Sequence, residues 1–116
     1  MEEIVVEDYA ALRSTLDHVV LDVREAWEYE FCHLPDSRLI PLDELAHRAD
    51  ELDPAETLVV VCHPGIRSRT AQAWLLAQGF ARVVNLALHP RAVALLRRRD
   101  AVAQFLVRQI ARLSHA

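Results

Sequence analysis

The segment TLVVVCHPGIRS, residues 57–68, decides the fold. Residues 57–61 are β-branched or apolar, which is typical of a buried strand, and a helical pattern begins at Arg67. Cys62 therefore lies where a strand leads through a short loop into a helix. A helix N-terminus favours an anion, and an isolated cysteine thiol, with a pKa of about 8.5, ionises more readily beside such a helix or an arginine. We therefore expect a reactive thiol at Cys62.

Short strands and helical patterns alternate on both sides of this segment. Strands are predicted at residues 4–6, 19–23, 38–40, 58–61 and 82–86, and helices at 8–16, 25–31, 42–49 and 67–78. Gly79 is predicted as the C-terminal stop of the last of these helices. The alternation predicts an α/β three-layer domain with a mainly parallel sheet of about five strands flanked by helices. Ligands bind at the C-terminal ends of strands in such sheets, where Cys62 falls.

Composition limits the function classes. With 116 residues and 53% hydrophobic content, residues 1–116 fit a single domain. Residues 1–56 hold sixteen of the seventeen acidic residues and four Arg, whereas residues 57–116 hold one acid and nine Arg. Two solvated faces explain this split better than nucleic-acid binding. A positive field around the thiol loop would also attract a small anionic substrate.

Cysteine content and hydrophobic runs indicate the compartment. Cys32 and Cys62 are too few for a disulfide framework, and the acidic start Met1-Glu2-Glu3 does not resemble a secretion signal. The apolar runs are shorter than the ~20 residues that span a bilayer. We therefore predict a reduced, cytoplasmic protein without a membrane span.

Several segments together resemble the single-domain rhodanese family over residues 4–86. They are LDVRE at 21–25, HLP at 33–35, IP at 40–41, CHPGIRS at 62–68, GF at 79–80 and VVNL at 83–86. The resemblance implies a sulfurtransferase. Cys62 would take a sulfane sulfur from a small anionic donor such as thiosulfate, become a persulfide, and pass the sulfur to cyanide, a thiol or a protein acceptor. No cofactor is implied.

The loop after Cys62 contains the candidate substrate-binding residues, which are His63, Pro64, Gly65, Ile66, Arg67 and Ser68. Gly65 would let the backbone turn without a side chain, Arg67 would offer a fork for an oxyanion, and Ser68 would cap the following helix. His63 is equally consistent with a proton shuttle and with a solvated loop histidine.

Asp22 and Arg24 are candidate supporting residues. Asp22 ends a strand that should neighbour the Cys62 strand, so it would hold the loop or pair with an arginine. Arg24, with Glu25 and Glu28, is consistent with either a structural ion-pair cluster or a substrate site. Trp27 and Trp74 are interpreted as packing residues and Arg69 as a solvated one.

Two rival sites are disfavoured. Cysteine-dependent phosphatases of related fold carry five residues between Cys and Arg, but Arg67 comes one residue too soon after Cys62. The pairs Cys32-His33 and Cys62-His63 could suggest zinc, but they lack a Cys-x-x-Cys knuckle, so no metal is predicted. Cys32 is interpreted as a packing residue, with a resolving thiol as the alternative.

The C-terminal stretch departs from the rhodanese pattern. Residues 87–93 read ALHPRAV, where rhodaneses usually carry a Gly-Gly turn and a nearby Trp. Residues 91–113 predict one long amphipathic helix. It would pack on the domain or form a homodimer or partner surface. The second function class is therefore a carrier or non-catalytic module that delivers sulfur to, or binds, a partner protein.

Overall fold

The computed structural model describes residues 2–31, 33–62 and 66–87. The strands are β1 (Glu3–Val5), β2 (Val19–Asp22), β3 (Arg38–Leu39), β4 (Thr57–Val61) and β5 (Arg82–Ala87), and the helices are α1 (Val6–Leu12), α2 (Ala26–Phe31), α3 (Leu45–Arg48) and α4 (Ile66–Ala77). The predicted helix at residues 91–113 lies outside the described part of the chain. Across the three described ranges, no helix is long and apolar enough to cross a bilayer.

The strands form one five-stranded sheet in the order β1-β5-β4-β2-β3. Every neighbouring pair is parallel. The apolar strand β4 lies in the centre, with Val60 beside Leu21 of β2 and Asn85 of β5. The predicted α/β fold with a parallel sheet of about five strands, flanked by helices, is therefore confirmed.

The two faces of the sheet are covered by different helices. Alternate β4 residues Leu58 and Val60 belong to the main buried cluster, together with Ala71 and Leu75 of α4. Val59 faces the opposite side, where it lines a cavity with residues of α1. This alternation follows from the period of two in a strand, and it explains why β4 is apolar throughout.

Two helical predictions differ from the structure in length. The helix predicted for residues 8–16 ends at Leu12, where the Leu12 carbonyl accepts hydrogen bonds from the Thr15 hydroxyl and from the Thr15 and Leu16 N–H groups. The segment predicted as a helix at residues 42–49 forms the 3-10 turn Leu42–Glu44 followed by the short α3. In both places local hydrogen bonding overrides a helical pattern.

The end of α4 matches the prediction. Gly79 has a φ of +94°, a left-handed conformation that side chains disfavour. The Gly79 N–H donates to the Leu76 carbonyl and the Phe80 N–H donates to the Leu75 carbonyl. The chain thereby leaves the helix toward β5.

The two tryptophans have different environments. Trp74 packs against the main core cluster, as predicted. Trp27, on the short helix α2, is 63% exposed and lies outside the buried core, so its interpretation as a packing residue stays a prediction.

Candidate active site

Cys62 directly follows β4, at the C-terminal edge of the sheet. It is 1% exposed and belongs to the main core cluster. The neighbouring strand β2 ends beside it, since Asp22 pairs with Val61 in register and the Val23 N–H donates to the Val61 carbonyl at 3.2 Å. The thiol is therefore held between the ends of two central strands.

The first turn of α4 reaches back to the sulfur. The Ser68 backbone N–H donates to Cys62 Sγ at 3.1 Å, and the Cys62 thiol donates to Ser68 Oγ at 3.3 Å. The prediction that Ser68 caps the helix is wrong, because α4 begins by Ile66 and the Ser68 hydroxyl meets Cys62 instead. The Ser68 backbone N–H lies in the first turn of α4, where a capping side chain would normally accept it, and here it donates to the Cys62 sulfur instead.

The Ser68 hydroxyl also belongs to a longer polar chain. It donates to Asn85 Oδ1 at 2.5 Å, and Asn85 Nδ2 donates to Glu3 Oε2 at 2.9 Å. Arg69, which is exposed as predicted, pairs with the same Glu3 oxygen at 3.3 Å. Ser68 and Asn85 are buried, so the network runs from the thiol through the sheet to the strand β1.

Arg67 pairs with Glu28 of α2 through two hydrogen bonds. Arg67 Nη1 donates to Glu28 Oε1 at 2.7 Å and Nη2 donates to Oε2 at 3.1 Å. Burial alone raises the pKa of Glu28, but the hydrogen bonds from Arg67 and from the Glu25 N–H outweigh it, so this pKa lies below its usual value. The Glu28 hydrogen bond raises the pKa of Arg67. The pair is thus charged on both sides at neutral pH.

Asp22 and Arg24 form a second ion pair that is fully buried. Arg24 Nε donates to Asp22 Oδ1 at 2.9 Å and Nη2 donates to Oδ2 at 2.8 Å, while the Arg24 backbone N–H also donates to Oδ1. Both side chains are 0% exposed. The prediction that Asp22 pairs with an arginine is confirmed. The structural interpretation of Arg24 as an ion-pair residue is favoured over the substrate-site one.

Other predicted site residues divide between described and undescribed parts of the chain. Ile66 begins α4 and is 69% exposed. His63, Pro64, Gly65 and Cys32 lie outside the described residues, so their predicted roles remain predictions. Within the described ranges, no group of three or more His, Cys, Asp or Glu side chains could hold a metal ion.

Sequence reasoning missed Asn85 and Glu3 as site residues and assigned Glu28 to another partner. A signal for Asn85 was present, since a polar residue among the otherwise apolar residues 83–86 of β5 needs a buried partner. The assignment of Glu28 to a cluster with Arg24 followed from closeness in sequence. Its contact with Arg67, 39 positions away, depends on how α2 and α4 meet.

The chain belongs to the rhodanese family, since the rhodanese-like domain family matches residues 5–88. A Bacillus subtilis relative, YrkF, whose name describes a candidate sulfur carrier protein, is 43% identical over 58% of this chain and 36% of its own length. The thiosulfate sulfurtransferase GlpE of Pseudomonas syringae pv. syringae is 38% identical over 59% of this chain and 64% of its own length.

A solved structure supports the same family. A rhodanese-related protein from Thermoplasma volcanium superposes with a TM-score of 0.69 at 29% identity, covering 75% of this chain and 84% of that one. Among the two relatives named above, the matched region spans about a third of the Bacillus subtilis protein and just under two-thirds of the Pseudomonas one.

Proposed function

We propose that the protein is a sulfurtransferase in which Cys62 carries the sulfur as a persulfide. The observation that carries this proposal is the position of Cys62 Sγ in a rhodanese-family chain, at the C-terminal end of the central strand and 3.1 Å from the Ser68 N–H. Relatives named for sulfur carriage and for thiosulfate sulfurtransferase support sulfur transfer as the general activity.

The first half-reaction loads the sulfur. The Cys62 thiolate attacks the outer sulfur of thiosulfate, a bond forms between Sγ and that sulfur, and the S–S bond of thiosulfate breaks. The electron pair leaves with sulfite, so charge and atoms balance without a cofactor. The Ser68 N–H and the N-terminal end of α4 stabilise negative charge on the attacking sulfur.

The second half-reaction transfers the sulfur from Cys62 to an acceptor. A nucleophile such as cyanide or a thiolate attacks the terminal sulfur of the persulfide, and the S–S bond to Cys62 breaks. The electron pair returns to Sγ, which regenerates the thiolate. With cyanide the product is thiocyanate.

Arg67 is proposed to meet the anionic donor. Its side chain is 28% exposed, and its guanidinium interacts electrostatically with Cys62. A sulfonate group has the geometry that a guanidinium fork binds well. His63, Pro64, Gly65 and Ile66 are proposed as the remaining substrate-binding residues.

A carrier role is the second candidate. It is favoured by the match to YrkF, which has the highest identity among the relatives described above. Here Cys62 would accept sulfur from a protein persulfide and deliver it to another protein, with little turnover of free thiosulfate. We further propose that the protein acts in the cytoplasm. We also propose that residues 91–113 form a homodimer or partner surface, and light scattering over a concentration series tests the homodimer.

The deciding experiment combines a turnover assay with mass spectrometry. The wild type, Cys62→Ser and the matched control Cys32→Ser are incubated with thiosulfate, with and without cyanide. We expect thiocyanate and a mass increase of one sulfur atom on Cys62 in the wild type and Cys32→Ser, and neither in Cys62→Ser. A persulfide on Cys62 without thiocyanate supports the carrier role.

Absence of both products from the folded wild type, with persulfide donors as well as thiosulfate, contradicts sulfur transfer altogether. Loss of both products in Cys32→Ser alone would move the nucleophile to Cys32.

A further inference from the structure

A chain of side-chain hydrogen bonds connects Cys62 to the first strand. The Cys62 thiol donates to Ser68 Oγ at 3.3 Å, Ser68 donates to Asn85 Oδ1, and Asn85 Nδ2 donates to Glu3 Oε2 at 2.9 Å. The sheet register aligns these groups, because Asn85 of β5 pairs with both Val60 of β4 and Glu3 of β1. The residues that interact here come from β1, β5, α4 and the position directly after β4.

The available protons determine which group donates in each of these hydrogen bonds. A carboxylate only accepts hydrogen bonds, so Glu3 requires the Nδ2 side of the Asn85 amide. The Oδ1 side must then face Ser68, and the Ser68 hydroxyl has a single proton to give it. The Ser68 oxygen is left to accept a hydrogen bond from Cys62.

We propose that Glu3, acting through Asn85, is a positioning residue that holds the Ser68 hydroxyl as a hydrogen-bond acceptor and so opposes loss of the Cys62 proton. When the thiol proton leaves to solvent, a Ser68 hydroxyl that still donates to Asn85 Oδ1 presents its oxygen lone pairs to the thiolate, and it can relieve this repulsion by turning its proton from Asn85 Oδ1 to Sγ. That turn removes the donor from the Asn85 oxygen, whose residue is 1% exposed. Such a loss is unfavourable in a buried site.

The charges around the network leave this constraint in place at neutral pH. The hydrogen bond from Asn85 lowers the pKa of Glu3, burial raises it, and Arg69 lowers it further. The pKa of Glu3 is therefore below its usual value, and its side chain is a carboxylate at neutral pH. Arg67, which pairs with Glu28 of α2, interacts electrostatically with Cys62, and the Asp22–Arg24 pair lies at the end of β2. Arg67 and the Ser68 N–H favour the thiolate, so the network opposes them.

The test measures the thiolate of Cys62 directly by its ultraviolet absorbance as a function of pH. A Cys32→Ser background leaves one thiol, and the Cys32→Ser/Cys62→Ser protein is subtracted as a blank for tyrosine. The readout needs no reagent to reach a buried sulfur and no sulfur donor. It therefore distinguishes failure of this inference from failure of the proposed function, on which the inference rests only for taking Cys62 as the reacting group.

We expect Glu3→Gln to lower the midpoint of thiolate formation by about one pH unit, which is about tenfold more thiolate at pH values below both midpoints. A glutamine side chain can accept or donate, so Asn85 is free to turn its amide and release the Ser68 proton. The matched control is Glu2→Gln, which removes the same charge one residue away, where Glu2 pairs with the exposed Arg82. Its midpoint should equal that of the parent.

Ser68→Ala separates the hydrogen-bond chain from a simple charge effect. Without the Ser68 hydroxyl, adding Glu3→Gln should shift the midpoint no further, because there is no proton left to redirect. A parental midpoint in folded Glu3→Gln, or a full-sized shift that persists in the Ser68→Ala background, overturns the proposal. Circular dichroism checks folding, and Glu3→Ala, which also removes the acceptor, provides a second variant with the same expected shift.

Discussion

Two arginine–carboxylate pairs lie beside Cys62, and they differ in how deeply they are buried. The Asp22–Arg24 pair is closed within the end of β2, with both side chains at 0% exposure. The Arg67–Glu28 pair joins two helices and leaves the Arg67 side chain at 28% exposure. We propose that the pair sealed in the interior supports the site and that Arg67, at its edge, meets an anionic substrate. The proposed roles of the two arginines differ because of burial more than residue type.

The largest expected effect comes from breaking the sealed pair. Asp22→Ala leaves the Arg24 guanidinium in the interior without its carboxylate, and we expect the free energy of unfolding to fall by about 3 to 5 kcal/mol. Urea unfolding followed by circular dichroism measures it. Unchanged stability together with unchanged sulfur transfer would remove Asp22 from the supporting residues.

The second prediction concerns the Arg67–Glu28 pair and the KM for thiosulfate. Arg67→Ala should raise the KM for thiosulfate about tenfold, because charge-assisted hydrogen bonds to the sulfonate are lost. The matched control is Arg82→Ala, which removes the same charge from the exposed start of β5. Equal KM values in the two variants would mean that Arg67 does not meet the anionic donor. Steady-state kinetics with cyanide as acceptor give the values.

A smaller effect is expected from Glu28→Gln. The loss in unfolding free energy should be about 1 kcal/mol, since solvent screens a partly exposed pair. The pKa of Glu28 is depressed in the folded protein, so its contribution is complete above the unfolded pKa and is lost as the pH falls through the folded value. The stability difference between parent and variant should therefore be constant near neutral pH and shrink below pH 4.5. A difference that grows on acidification would contradict this assignment.

The smallest effect is expected at an exposed ion pair far from the thiol. Arg48 pairs with Glu51 at 2.8 Å on the surface, where solvent competes with the interaction. Arg48→Ala should leave the urea midpoint unchanged within error. A loss comparable to that of Asp22→Ala would show that burial is not what separates the pairs.

Much of the fold was predictable because its signals are local. The apolar run of β4 and the glycine after α4 specify a buried strand and a helix end through backbone propensity and side-chain burial. The same local reasoning failed at α1 and at residues 42–49. There, hydrogen bonds to carbonyls and 3-10 geometry changed helix lengths that hydrophobic spacing alone could not determine.

The candidate site was predictable only in part. Cys62 and its loop motif were evident, and Asp22 was expected to hold the loop or pair with an arginine, without an indication of which arginine. The partners of Ser68 and Arg67 were not, since Asn85, Glu3 and Glu28 come from elements distant in sequence. Residue order gives no direct measure of such distances.

By itself, the sequence determined that a central apolar strand presents a cysteine at the start of a helix in a rhodanese-type α/β chain. Those features depend on spacing, side-chain volume and backbone preference over a few residues. Only the tertiary structure decided which groups surround the sulfur. The parallel register of β1, β5 and β4 brings Glu3 and Asn85 into line with Ser68, and the meeting of α2 with α4 gives Arg67 its carboxylate. Hydrogen bonds of this kind require positions within about 3 Å, and only the packed sheet and helices set distances that finely.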